Sequence, residues 1–174
     1  MPALTTKFTA DEQLDLPLFE KNLEAQLAAG IEGVILGGTL GEASVLTTEE
    51  KERLIKFAIE KVDGKIPVIL NIAEGSTRLA LEQAALGHQW GVDGLMMLPP
   101  MRYVPDHREL VTYFKTVADS TDLPIMIYNN PVDYKTLVTL DAFEELTVCA
   151  NITAVKESTR DVSNITRMRN RFGD

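Results

Sequence analysis

The sequence has a single cysteine, Cys149, in 174 residues, so the chain cannot close a disulfide on itself. Cysteine use this sparse fits a reducing compartment, and a cytoplasmic location is expected. No run of about 18 apolar residues offers a membrane-spanning helix, so a membrane is not an expected partner. The first residues, Met1 to Gln13, lack the basic start and apolar stretch of a secretory signal. Basic residues are in deficit: 17 Lys and Arg stand against 26 Asp and Glu, for a net charge of −9. Phosphate backbones reward clustered cations, so nucleic acid is not an expected partner either. Histidine is scarce. His88 and His107 fall in separate helical segments, with no His-Glu-x-x-His pattern and no cysteine partner, so no metal is expected. No G-x-G-x-x-G follows the first strand, and neither a Walker loop nor a G-x-S-x-G elbow occurs.

What is present is an ordinary globular composition, 45% apolar and 25% charged, in a chain long enough for one sizeable core. Short apolar runs rich in β-branched residues read as buried strands at 3–6, 33–37, 66–72, 94–98, 124–128 and 152–156. They end about 30 residues apart, the size of one strand and its crossover helix. Helical period fills the gaps at 18–29, 77–90, 106–120, 140–148 and 162–171. A further helix opens at Thr47, a capping residue followed by the acidic pair Glu49 and Glu50. The basic stretch Arg160, Arg167, Arg169 and Arg171 reads either as an anion site or as the solvated face of the last helix.

Alternating strands and helices imply a parallel sheet with right-handed crossovers, either doubly wound and open or closed into a barrel. The missing nucleotide loops weaken the open sheet. Polar residues instead gather at strand ends: Thr39, Asn71, Tyr128, Asn129, Lys156 and Glu157. In a barrel those ends surround one mouth, where active sites of the fold lie. The expected fold class is α/β, a (β/α)₈ TIM barrel. Such a barrel needs eight strands and about 250 residues, and about six βα units are read here. Residues 1–174 are therefore expected to form a single incomplete barrel domain, a piece of a longer enzyme.

Three features carry chemistry. Lys156 closes an apolar strand, which would aim its amine into a barrel mouth. Burial disfavours an ammonium, and a neutral amine can form a Schiff base near neutral pH. The other reading is a strand-end lysine reaching out to solvent. Tyr128, in Tyr128-Asn129-Asn130-Pro131, ends the preceding strand, and parallel neighbours lie about 4.8 Å apart. A phenol there could exchange the protons that imine formation requires, or could simply keep its hydroxyl wet. The loop Gly37-Gly38-Thr39-Leu40-Gly41-Glu42-Ala43 could turn backbone amides inward as a nest for a carboxylate, though tight βα turns use glycine in any case.

Taken in order, the G-x-T-x-G-E loop, Y-N-x-P and the lysine closing the sixth strand resemble the dihydrodipicolinate synthase and N-acetylneuraminate lyase family. The resemblance implies a lyase on a (β/α)₈ barrel, usually a homo-oligomer (tetramer or dimer) in its full-length form. It implies no cofactor beyond a covalent lysine Schiff base with pyruvate or another small 2-oxo acid. The imine serves as electron sink for aldol cleavage, condensation, dehydration or deamination. By position, Lys156 would be the Schiff-base residue and Tyr128 the proton relay. Thr39, with Gly38 and Leu40, would take the substrate carboxylate, and Tyr103 would fill a further substrate-binding place. Glu42 would anchor its loop, and Pro131 would shape the turn that holds Tyr128.

The resemblance has departures. Dihydrodipicolinate synthases carry a paired Thr-Thr, whose second hydroxyl relays protons, where this chain has Thr39-Leu40. They also place an arginine after Y-N-x-P, where this chain reads Val132-Asp133-Tyr134. An acid repels a second substrate's carboxylate, so an enzyme other than an authentic dihydrodipicolinate synthase is expected. Two further readings stay open: a catalytically inactive fragment of such an enzyme, and an open-sheet phosphate- or nucleotide-binding domain.

Overall fold

Helices begin where the sequence supplies caps. The Thr47 hydroxyl accepts from the Glu50 amide and Glu50 accepts from the Thr47 amide, opening α2 (Thr48–Val62) with a closed capping box. Asp106 and Glu109 repeat the arrangement at α4 (His107–Ala118). Asp15 caps α1 (Leu16–Ala28), which stops at Gly30 with φ +77°, a conformation that glycine adopts without penalty. These features belong to the computed structural model of the chain, which describes residues 1–100 and 102–173. Met101, within the 98–103 segment, and Asp174 lie outside the described residues.

The remaining elements are β1 (Val34–Leu36), β2 (Val68–Ile72), α3 (Thr77–Trp90), β3 (Gly94–Met97), β4 (Ile125–Asn129), α5 (Pro131–Tyr134), α6 (Leu140–Leu146), β5 (Ile152–Glu157) and α7 (Ser163–Phe172). Most helix limits fall within about two residues of those expected. No described helix is long and apolar enough to cross a membrane. The strands are hydrogen bonded in the order β1-β2-β3-β4-β5, and β1 with β2 and β4 with β5 are parallel. A doubly wound sheet reverses its order at a switch point. This one never reverses.

The first expected strand, 3–6, is a correction. It is reduced to one parallel bridge, Ala3 with Ile35, held by the Leu4 amide on Ile35 O and the Ile35 amide on Pro2 O. Pro2 has no amide hydrogen to carry the ladder backward, and β1 ends at Leu36 before Gly37 turns at φ +67°, where residues 4–6 would have continued it. On the other side, the Thr6 hydroxyl donates to Gly41 O at 2.6 Å, tying the segment to a loop.

The chain forms two compact units. Residues 1–72 and 86–95 make the first, and residues 73–85 and 96 onward the second, with β3 starting in one and ending in the other. In the first, Phe19, Leu23, Ile55 and Trp90 are buried with the apolar residues of β1 and β2. Gly87 of α3 makes the close approach possible there: a Cβ on it would stand 3.0 Å from Leu70 Cδ2 and 3.3 Å from Leu95 Cδ2. In the second, Phe114, Val117, Ile125, Ile127 and Leu146 form the core, with Cys149 buried at its margin.

Phe114 is fully buried, so Phe114→Ala should cost about 3–5 kcal/mol, read as a lower urea midpoint. Burial, then the nearby Asp119 carboxylate, pushes the Cys149 thiol pKa up and keeps it in its less nucleophilic form. Alkylation of Cys149 at neutral pH should therefore be slow in the folded chain and fast in urea. Equal rates would contradict the burial.

Candidate functional site

The site in the second unit follows from strand alternation and one register shift. Along β4, Ile125, Ile127 and Asn129 are buried, while Met126 and Tyr128 are half-buried on the opposite face. Ile125 pairs with Ile152, but the register then slips by one residue, so that Met126 pairs with Ala154 and Tyr128 with Lys156. Without the slip, Tyr128 would oppose Val155, and Lys156 would face the other side of the sheet. With it, the Lys156 amine lies 4.1 Å from the centroid of the Tyr128 ring, a cation–π contact. Tyr134 packs edge-on against the same ring at 5.8 Å and 73°.

Around this pair the polar groups are locked. Asn130, buried, caps α5 by accepting from the Asp133 amide at 3.3 Å, and Pro131 takes the next position, where its missing amide hydrogen costs nothing. The Asn130 carboxamide nitrogen donates to the Tyr128 hydroxyl at 2.9 Å and to the Asp133 carboxylate at 2.8 Å. On the other face, Glu157 accepts from Asn129 at 3.1 Å, Asn164 at 2.9 Å and the Thr159 amide at 2.8 Å. That ties β4, β5 and the start of α7 together immediately beside the lysine.

Tyr128, Asn130, Asp133, Glu157, Thr159 and Arg160 line a cavity of about 420 Å³. Arg160, at φ +64°, brings its guanidinium to 3.9 Å from Asp133. Hydrogen bonds from Ser163, then the Arg167 guanidinium, hold the Asp161 carboxyl below its ordinary pKa. A larger cavity of about 520 Å³ runs along Ile152–Val155 against α6 and α7, with mainly apolar walls, and Lys156 lines neither cavity.

The glycine loop lies in the first unit. Gly38 is buried, and Thr39 and Leu40 are exposed on a 3₁₀ turn, Thr39–Gly41. Gly37 has φ +67°, and its carbonyl accepts from Asn71 at 2.9 Å. The expected amide nest is narrower than a G-x-T-x-G-E reading suggests. The amides of Gly41 and Ala43 donate to Gly38 O and that of Glu42 to Thr39 O, so the turn consumes them itself.

Tyr103 is not with Tyr128 and Lys156. It is 61% exposed and lines a separate cavity with Ser76, Thr77, Arg108 and Tyr113, the last a phenol whose pKa burial pushes up. The basic stretch is an ion-paired surface in three of its members. Arg160 meets Asp133, Arg167 meets Asp161, and Arg171 meets Asp141 and Glu144. His107 bonds Glu145 at 2.7 Å, and no group of three metal-binding side chains occurs among the described residues. Sequence reasoning gave no role to Asn130, Tyr134 or Asn164. Asn130 had a signal, since asparagine before proline marks a helix start.

With this geometry in place, comparison with known proteins is informative. The model of the Dihydrodipicolinate synthetase family matches residues 1–174. The 4-hydroxy-tetrahydrodipicolinate synthase of Exiguobacterium sibiricum is 39% identical over 161 residues, 92% of this chain and 55% of the relative. That of Aquifex aeolicus is 34% identical over 173 residues, 99% of this chain and 58% of the relative. The crystal structure of dihydrodipicolinate synthase from Aquifex aeolicus superposes with a TM-score of 0.92 at 34% identity, covering 99% of this chain and 59% of that one. YagE, an E. coli K12 prophage protein solved in complex with pyruvate, gives 0.90 at 31%, covering 97% and 57%. The chain thus spans little more than half the length of the relatives it matches. Its consecutive parallel βα units are those of a (β/α)₈ barrel.

Three donors converge on Glu157, and Glu157→Gln would turn one acceptor into a donor facing another donor. The cost should be about 1–3 kcal/mol in urea unfolding. An unchanged midpoint would mean that the clamp contributes nothing.

Proposed function

Because the chain belongs to the dihydrodipicolinate synthetase family, we propose that it is part of a lyase whose Lys156 amine forms an imine with pyruvate or another small 2-oxo acid. The observation that carries this reading is the Lys156 amine seated over the Tyr128 ring on paired neighbouring strands. Pyruvate bound to YagE, a relative in the same family, is consistent with it.

The neutral amine attacks the 2-oxo carbon, giving a carbinolamine. Loss of its hydroxyl as water leaves an iminium. Each step moves a proton, and Tyr128 is the group we assign to give and take it, a role worth about 10²–10⁴ in rate. The iminium then accepts the electron pair released when a bond to the neighbouring carbon breaks, or lends it back when one forms. The family resemblance would give carboxylate recognition to Thr39, with Gly38 and Leu40.

The second substrate or leaving group is read as one that brings no carboxylate to the wall beside Tyr128. The acid Asp133 stands on the cavity wall beside Tyr128, and Leu40 has no hydroxyl to contribute. A 2-oxo acid of the sugar-acid or hydroxylated-amino-acid kind fits these groups better, which points to an aldolase, dehydratase or deaminase rather than an authentic dihydrodipicolinate synthase.

Borohydride trapping with pyruvate, read by intact mass and peptide mapping, tests the mechanism. A reduced adduct on Lys156, absent in Lys156→Arg, is expected. Tyr128→Phe should slow its formation by about 10²–10⁴-fold. A chain that is folded by circular dichroism yet takes no adduct from pyruvate or longer 2-oxo acids would overturn the proposal.

A further inference from the structure

We infer that Asn130 is a positioning residue for the Tyr128 phenol, an assignment that rests on the Schiff-base reading above. The Asn130 side chain is 4% exposed, and both of its ends are committed. Its oxygen accepts from the Asp133 amide at 3.3 Å, and its nitrogen donates to Tyr128 Oη at 2.9 Å and to Asp133 Oδ2 at 2.8 Å.

The orientation of this carboxamide is determined by its neighbours. The Asp133 backbone amide can only donate, and the Asp133 carboxylate, when ionised, can only accept. A flipped amide would set oxygen against carboxylate and nitrogen against N–H. The nitrogen therefore faces Tyr128, and the phenol oxygen is the acceptor in that contact.

Two consequences follow for the proton on Tyr128. Its O–H hydrogen cannot point at Asn130, whose facing group is already a donor, so it is left for an acceptor on another side. When that proton departs, the amide remains as a donor to the oxygen, where the negative charge collects. Asp133 anchors the donor from behind, and the edge-on Tyr134 ring limits how far the phenol can swing. Asn130 does not touch the reacting carbon in this scheme. It acts through Tyr128.

The test separates this role from a merely structural one. Asn130→Ser keeps a capping oxygen for α5 but is too short to reach Tyr128 Oη, and Asn130→Asp keeps the cap while removing the amide donor. Both are made alone and in a Tyr128→Phe background, and the rate of borohydride-trapped pyruvyl adduct on Lys156 is measured, with circular dichroism run on each. Each single variant should slow trapping by about 10- to 100-fold. In the Tyr128→Phe background the same changes should alter the rate by less than about twofold, because the group they act through is gone.

An unaffected single variant, or a loss that persists in full without the phenol, would overturn the assignment while leaving the Schiff-base reading intact. A folded wild-type chain that takes no adduct would overturn the Schiff-base reading and this assignment with it. The first failure shows in the variants and the second in the wild type.

Discussion

Everything at the candidate site depends on the one-residue slip between β4 and β5. Side chains on a strand alternate, so register decides not only which residues are opposite but which face they share. Before the slip, Ile125 is matched to Ile152; after it, Tyr128 is matched to Lys156. An uninterrupted ladder would have set a valine opposite the tyrosine and turned the amine to the other side. The slip falls at the start of β4, where Ile125 is anchored in the core and its amide is held by Asn151 O at 2.7 Å. Core packing thus accompanies the register that pairs Tyr128 with Lys156 three residues along the strand.

The same strand end has a second task on its other face. Glu157 collects three donors from β4, from the loop after β5 and from α7, while Asn129 beside it is fully buried and bonded at both ends of its amide to Val138. A lysine on a frayed strand end would sample many rotamers and gain little from a neighbouring phenol. Here the backbone that carries it is pinned immediately beside it by the bonds to Glu157. A covalent amine, as proposed for Lys156, needs such a rigid base.

Much of this was legible in the amino-acid sequence, and the reasons differ by element. The βα rhythm was readable because buried parallel strands are short apolar runs and their helices carry explicit caps, as at Thr47 and Asp106. Lys156 and Tyr128 stood out because each is a polar residue closing an apolar run. The first strand misled because its composition suits a strand, while its neighbour β1 ends at Leu36 and the chain turns at Gly37. Asn130 was passed over because its work lies in the direction of a carboxamide, which no periodicity encodes. Tyr103 was placed by its neighbours in the chain, and alignment along a loop says little about which cavity a side chain reaches. The glycine loop showed its capacity for a turn but not that the turn would consume three of its own amides.

The alternation along β5 also bears on how such a site can change over generations. Lys156 and Glu157 share a peptide unit but not a face, and Asp133, a departure from the family pattern, bonds Asn130 beside the phenol. None of the three bonds that hold Glu157 comes from Asp133 or Asn130. A lineage can therefore change the polar groups around the phenol in small steps, each leaving those three bonds beside the lysine in place.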